Sequence, residues 1–177
     1  MTEESALLVT VPAAEPAVAR HRSRLDTSAA VGVPAHLTVL YPFLPPDLID
    51  PDVRATLTRL FASVPGFRFT LDRTRWFPDP VLWLGPSDPV PFCALIERVA
   101  AAFPSCPPYG GRVAEVIPHL TIGDGGSRAD LEAAEAEVRP HLPIEAEATS
   151  VTLMTGPSPG SVPATARWQT VAMFPLA

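Results

Sequence analysis

Residues 36–39 read His-Leu-Thr-Val and residues 119–122 read His-Leu-Thr-Ile, 83 positions apart. Each copy closely follows a proline, Pro34 or Pro118. With 4 His, 18 Leu and 14 Thr in 177 residues, chance places two such tripeptides in roughly one sequence in a few thousand. The residue types are chemically pointed. Imidazole can give or take a proton near neutral pH. A hydroxyl donates a hydrogen bond to an anionic oxygen without bringing a charge.

The spacing fits a strand. Side chains alternate between the two faces, so His and Thr two positions apart share a face. Leu37, Val39, Leu120 and Ile122 then point the other way, where they can be buried. Two such strands facing one another across a cleft would offer two imidazoles and two hydroxyls to one bound group, and a phosphodiester suits that set. Phosphoryl transfer needs a base on the attacking oxygen and an acid on the leaving oxygen, on opposite sides of phosphorus. Hydroxyl donors steady the non-bridging oxygens, where charge builds up. His36, Thr38, His119 and Thr121 are therefore the candidate catalytic residues. A zinc site is the other use of His36 and His119, but it asks for a third ligand at a suitable spacing, and none is evident.

The elements that must position these strands can be read from the pattern around them. Ala6–Val11 reads as a buried strand and Pro16–Leu25 as a short helix with Pro in its first turn. Arg22 and Asp26 stand at i, i+4 and are expected to form a weak surface pair. His21 and His141, beside arginines, are expected on the solvated surface. His36–Phe43 is a strand. Asp50-Pro51 caps a helix that puts Val53, Leu57, Leu60, Phe61 and Val64 on one face. Phe67–Leu71 and Val81–Leu84 are strands, and Ser87 or Asp88 caps a helix carrying Phe92, Leu95, Ile96, Val99 and Phe103. After a loop, His119–Ile122 is a strand. Ser127 and Asp130 form a capping-box variant that opens a helix to Arg139, whose Glu132, Glu135 and Glu137 are read as a solvated face. Val151–Met154 and Trp168–Phe174 close the chain as strands. Counted from the first motif, strand–helix–strand–strand–helix recurs from His119 without its last helix. The expectation is one α+β domain over residues 1–177, built by internal duplication around 36–39 and 119–122.

Composition narrows the chemistry. All 13 basic side chains are Arg and none is Lys, which excludes a P-loop, Schiff-base chemistry and a nucleotide carried covalently on a Lys amine. The net charge of −6 argues against a long, nonspecific nucleic-acid footprint, which runs on displaced counterions and basic stripes. Cys93 and Cys106 form no metal-type spacing and read as reduced thiols. The acidic start Met1-Thr2-Glu3-Glu4-Ser5 is unlike a secretory signal, and no early apolar run is long enough for a bilayer, so a soluble cytoplasmic protein is expected. The 23 prolines are scattered between periodic segments as loop punctuation.

The two His-x-Thr strands resemble the two-histidine (2H) phosphoesterase superfamily, which includes the 2′-5′ RNA ligase (LigT-like) proteins and cyclic phosphodiesterases. The stretch from Pro34 to Phe43 is similar to the first family motif, and Pro118–Ile122 to the second. The resemblance implies a bilobal α+β fold with two pseudo-symmetric lobes of antiparallel sheet, helices outside and a central cleft. It implies hydrolysis of a 2′,3′-cyclic phosphate to a 2′-phosphate, a reversible 2′-5′ ligation by the same chemistry, and no metal or cofactor. The expected partner is an RNA end or small nucleotide with a cyclic phosphate. The expected state is a monomer, because the two-fold lies inside the chain. A binding module that kept the cleft without turnover is the competing expectation. Tyr41 and Tyr109, and less so Trp83, are candidates to stack on a base. Arg112 and Arg167 are candidates to pair with the phosphate.

Overall fold

The apolar patterns resolve into two four-stranded antiparallel sheets in a computed structural model of the chain, which describes residues 3–158 and 166–177. The strands are β1 (Glu3–Thr10), β2 (His36–Leu40), β3 (Phe67–Phe77), β4 (Val81–Pro86), β5 (Leu120–Gly123), β6 (Ile144–Ala148), β7 (Ser150–Pro157) and β8 (Gln169–Pro175). The helices are α1 (Glu15–Leu25), α2 (Thr27–Ala30), α3 (Pro51–Ala62), α4 (Val90–Ala102) and α5 (Arg128–Val138). One sheet has the order β2-β1-β7-β8, the other β5-β4-β3-β6.

Both motif strands are sheet edges, and each pairs with the strand that precedes it across a helical connection: β1 to β2 through α1 and α2, β4 to β5 through α4. The helices cross over. α1 packs against β5, and α4 packs against β2. The two edges, β2 and β5, also contact one another although they belong to different sheets. One continuous cluster of buried side chains joins the lobes, from Leu7, Leu37 and Leu153 in the first sheet to Leu71, Leu84 and Leu120 in the second. Burying each such leucine contributes about 1.5–3 kcal/mol, so the edges that carry the motifs are held from behind by the core.

Local signals place the helices as the residue types require. Asp50 accepts from the Val53 N–H at 2.8 Å. Ser127 and Asp130 form a reciprocal capping box. The helix α4 departs from expectation: Pro89 occupies the N-cap, and Asp88 reaches past it to accept from the Val90 N–H at 3.0 Å.

Other expectations need correcting. The strand β6 has no counterpart in the sequence reading, and β3 runs on through Phe77. Both follow from pairing: β3 is an interior strand, zipped to β4 over Leu71–Phe77 and to β6 over Phe67–Leu71. That ladder holds Asp72, Arg73 and Arg75 in extended conformation despite their polarity. Glu135 is half-buried rather than solvated. It accepts from Thr74 Oγ1 at 2.6 Å, Trp76 Nε1 at 3.1 Å and Arg139 Nη2 at 2.9 Å, which ties α5 to β3. His21 is buried, with Nε2 3.5 Å from a Glu137 carboxylate oxygen. No helix among the described residues is long and apolar enough to cross a membrane.

Candidate active site

In β2 and at the start of β5 the alternation works as the motif requires. Leu37, Val39, Leu120 and Ile122 are buried. His36, Thr38, His119 and Thr121 are half-buried and line one cleft of about 500 Å³ between the lobes.

The two imidazoles are held in the same way. His36 Nδ1 lies 2.8 Å from the Pro34 carbonyl oxygen, and His119 Nδ1 lies 2.7 Å from that of Ile117. A carbonyl can only accept, so each Nδ1 carries the proton, and each neutral ring keeps Nε2 as its proton acceptor. Burial pushes the His36 pKa down to about 4, with the nearby Arg22 charge acting in the same direction; the Pro34 carbonyl and Asp26 oppose it. Burial lowers that of His119 too, against the pull of the Ile117 carbonyl. Near neutral pH the unliganded site therefore holds two neutral imidazoles.

Behind the motifs lies a device that the sequence reading took for a weak surface pair. Arg22 and Asp26 have side chains only 3% and 1% exposed, with Nη2 and Oδ2 2.7 Å apart. The pair is buried because α1 packs against β5 and α2 packs against α1, with Ser28 set on both side chains. Arg22 Nε donates to Asp26 Oδ2 at 2.8 Å and to the Thr121 carbonyl at 3.1 Å. Its Nη2 donates to the Val33 carbonyl and to Ser28 Oγ, each at 3.3 Å. One guanidinium thus joins the main chain of β5 to the segment entering β2. Asp26 also caps α2, accepting from Ser28 N and Oγ at 2.8 and 2.7 Å. A second clasp crosses the lobes at Asp124, whose carboxylate accepts from Thr27 N at 2.9 Å and Thr27 Oγ1 at 2.7 Å.

Tyr41 and Tyr109 also line the cleft. Burial raises the Tyr109 pKa, with the Thr38 side chain opposing it, and the Tyr109 amide donates to the Tyr41 carbonyl at 2.7 Å. Its φ of 53° is the left-handed conformation that non-glycine residues rarely adopt. The Tyr41 hydroxyl donates to Glu4, and burial together with that carboxylate pushes its pKa up. Trp83 is instead buried, stacked on Phe77 at 4.8 Å and 5.8 Å from the His119 ring, so it supports the imidazole from beneath. Arg112 and Arg167 do not line the cleft. Arg112 is exposed, near enough to Tyr41 for its charge to act on that hydroxyl. Arg167 lies over Gly32, and its Nη1 donates to the Ala166 carbonyl at 3.1 Å.

The apolar wall of the cleft was not foreseen. Ala6, Leu8, Val31, Val33 and Trp168 form it together with Tyr41, which meets Trp168 edge-on at 6.1 Å. Trp168 reaches the wall across β7, where a Cβ on Gly156 would stand 2.4 Å from the indole. Glycine is required there, and no local pattern around either residue announces the contact. Among the described residues no three His, Cys, Asp or Glu side chains converge as metal ligands.

The sequence profile of the 2′-5′ RNA ligase superfamily matches residues 10–157 of the chain. No curated protein sequence matches it. Among solved structures, Escherichia coli LigT complexed with NADP+ is 19% identical, with a TM-score of 0.60 over 99% of this chain and 98% of that one. LigT complexed with 3′-AMP gives 19% and 0.61 over 99% of each chain. TT0787 of Thermus thermophilus gives 20% and 0.65 over 98% and 97%. At this identity the likeness to these structures is one of fold.

Proposed function

Given that the chain belongs to the 2′-5′ RNA ligase superfamily, we propose that it is a metal-independent phosphoesterase that opens the 2′,3′-cyclic phosphate of an RNA end or small nucleotide to a 2′-phosphate. The observation that carries this reading is the matched anchoring of His36 and His119, each with Nδ1 on a carbonyl two residues back. Both rings are oriented in advance as proton carriers on a shared cleft.

In the proposed reaction a water oxygen attacks phosphorus and the P–O3′ bond breaks. One imidazole takes the water proton while the other, protonated, gives its proton to the departing O3′. The Thr38 and Thr121 hydroxyls donate to the non-bridging oxygens, where charge accumulates. The negative charge of the bound phosphate favours the charged form of a buried imidazole beside it, so one ring takes up a proton from solvent as the substrate binds. The LigT structures with 3′-AMP and NADP+ support a small nucleotide as the ligand class. The protein is proposed to act as a monomer in the cytoplasm.

The test is hydrolysis of 2′,3′-cyclic nucleotides in the presence of EDTA. His36→Ala and His119→Ala are each expected to lower kcat by about 10²–10⁴-fold. Thr38→Val and Thr121→Val should cost less. Full activity in either histidine variant overturns the reading.

A further inference from the structure

The turn Gly123-Asp124-Gly125-Gly126 follows the second motif directly, and the proposed reaction leaves it unused. It is folded tightly against the end of α1. The Asp124 and Gly125 amides both donate to the Leu25 carbonyl, at 2.8 and 2.9 Å. A Cβ on Gly123 would stand 2.6 Å from Leu131 and 2.8 Å from Leu25, so only glycine lets the chain come this close. With the backbone pinned, the carboxylate of Asp124 is pinned too. Its Oδ1 accepts from the Thr27 amide at 2.9 Å and its Oδ2 from the Thr27 hydroxyl at 2.7 Å. The side chain lines the same cleft as His36, Thr38, His119 and Thr121.

The two carboxylates of the cleft differ in charge balance. Asp26 has Arg22 at 2.7 Å. The hydrogen-bond partners of Asp124 among the described residues are neutral, no Arg is among the described lining, and the chain has no Lys. A fixed negative charge beside a phosphate site opposes binding, and it opposes two charges more than one. The proposed reaction supplies that difference. A cyclic diester carries one negative charge. The 2′-monoester it becomes carries two at neutral pH, because its second ionisation falls near pH 6. We propose that Asp124 is a specificity-determining residue, a charge filter that admits the singly charged phosphodiester and drives out the doubly charged phosphomonoester. The inference rests on the phosphoesterase reading and deepens it by naming what the cleft uses to tell substrate from product. The two bonds from Thr27 make the filter effective, since they stop the carboxylate from swinging away from an incoming anion. The same repulsion excludes other phosphomonoesters as competitors for the site.

The experiment measures, with the full chain at pH 7.5 and low salt, KM for 2′,3′-cyclic AMP and the inhibition constant Ki of adenosine 2′-phosphate. Asp124→Asn keeps an oxygen for the Thr27 amide and offers its own N–H to the Thr27 hydroxyl, so the clasp survives and only the charge goes. Asp124→Ser removes the charge by a different side chain and should act in the same direction. Lifting the repulsion acts once on the substrate and twice on the product. An exposed carboxylate is worth on the order of threefold per unit charge, so KM should fall about threefold and Ki about tenfold. Raising the salt to about 0.5 M should shrink the difference between variant and wild type, because an exposed charge is screened. A ratio of Ki to KM that both variants leave unchanged overturns the inference, and so does a change that salt does not diminish. Wild-type protein that does not turn over the cyclic nucleotide overturns the phosphoesterase reading and this one with it.

Discussion

His36 and His119 use their two nitrogens differently: Nδ1 is committed to the main chain, and Nε2 is the nitrogen that the proposed reaction would use. The carbonyls responsible belong to Pro34 and Ile117, each two residues before its histidine, so the orientation of each ring is encoded within its own motif. The protonation state is not. A pKa of about 4 for His36, against an ordinary value of 6.5, comes from the tertiary burial of its ring. Between those values the buried, unliganded ring is neutral where an ordinary imidazole is protonated, and the sign of the change on binding follows. A phosphate monoanion favours the imidazolium, so binding takes up protons as the raised pKa overtakes the solution pH. Titrating the inactive His119→Ala protein with a 2′,3′-cyclic nucleotide at about pH 6 should show net proton uptake, read as the dependence of binding enthalpy on the ionisation enthalpy of the buffer. Proton release, or none exchanged, contradicts the assignment. The four His and Thr positions were legible from type and spacing alone. Trp168, Val31 and Val33 were not, because nothing in their neighbours distinguishes a cleft wall from core.

At the scale of elements, α1 and α2 do more than connect β1 to β2. Arg22 and Asp26 sit at the i, i+4 spacing that marks countless exposed ion pairs, and spacing carries no information on burial. What buries this pair is the crossing of α1 onto β5, which places the guanidinium between the Thr121 and Val33 carbonyls. Removing one partner of a buried pair leaves the other uncompensated, at a cost of about 3–5 kcal/mol. Arg22→Met should therefore lower stability by roughly that amount in urea unfolding, and Arg22→Met/Asp26→Asn by less than the sum of the single changes. Arg22→Lys keeps the charge but cannot fork between two strands, so it should fall between. A loss within about 0.5 kcal/mol for Arg22→Met, the range of an ordinary surface change, would show that the pair does not clasp the lobes. Capping at Asp50 and Ser127 was legible because a cap is local. The strand β6 and the second half of β3 were not, since their polar residues become strand only by pairing with one another and with β4.

Over the whole molecule, a net charge of −6 meets a cleft whose described lining has no Arg, only Asp26 and Asp124 as charged groups apart from its histidines. Asp26 is neutralised by Arg22, and Asp124 is engaged by Thr27. Recognition confined to one phosphate and its immediate neighbours then releases few counterions. For an oligonucleotide ending in a cyclic phosphate, log affinity against log salt should have a slope no steeper than about −0.7, the value for one neutralised phosphate on a single strand. Lengthening the oligonucleotide should add little; a slope several times steeper would reveal a basic track that the fold does not provide. The sequence by itself determined the chemistry on offer: imidazole and hydroxyl paired on two strands, no Lys for covalent nucleotide chemistry, and apolar partners to bury behind each motif. These are matters of side-chain type and of a two-residue period that any strand obeys. The tertiary structure alone decided how the two motif strands meet, as edges of separate sheets, each backed by a helix that leads into the other. It also decided that Arg22 and Asp26 are buried behind them. Those outcomes depend on contacts between residues as distant in sequence as Arg22 and Thr121, and long-range packing leaves no periodicity along the chain from which it could be read.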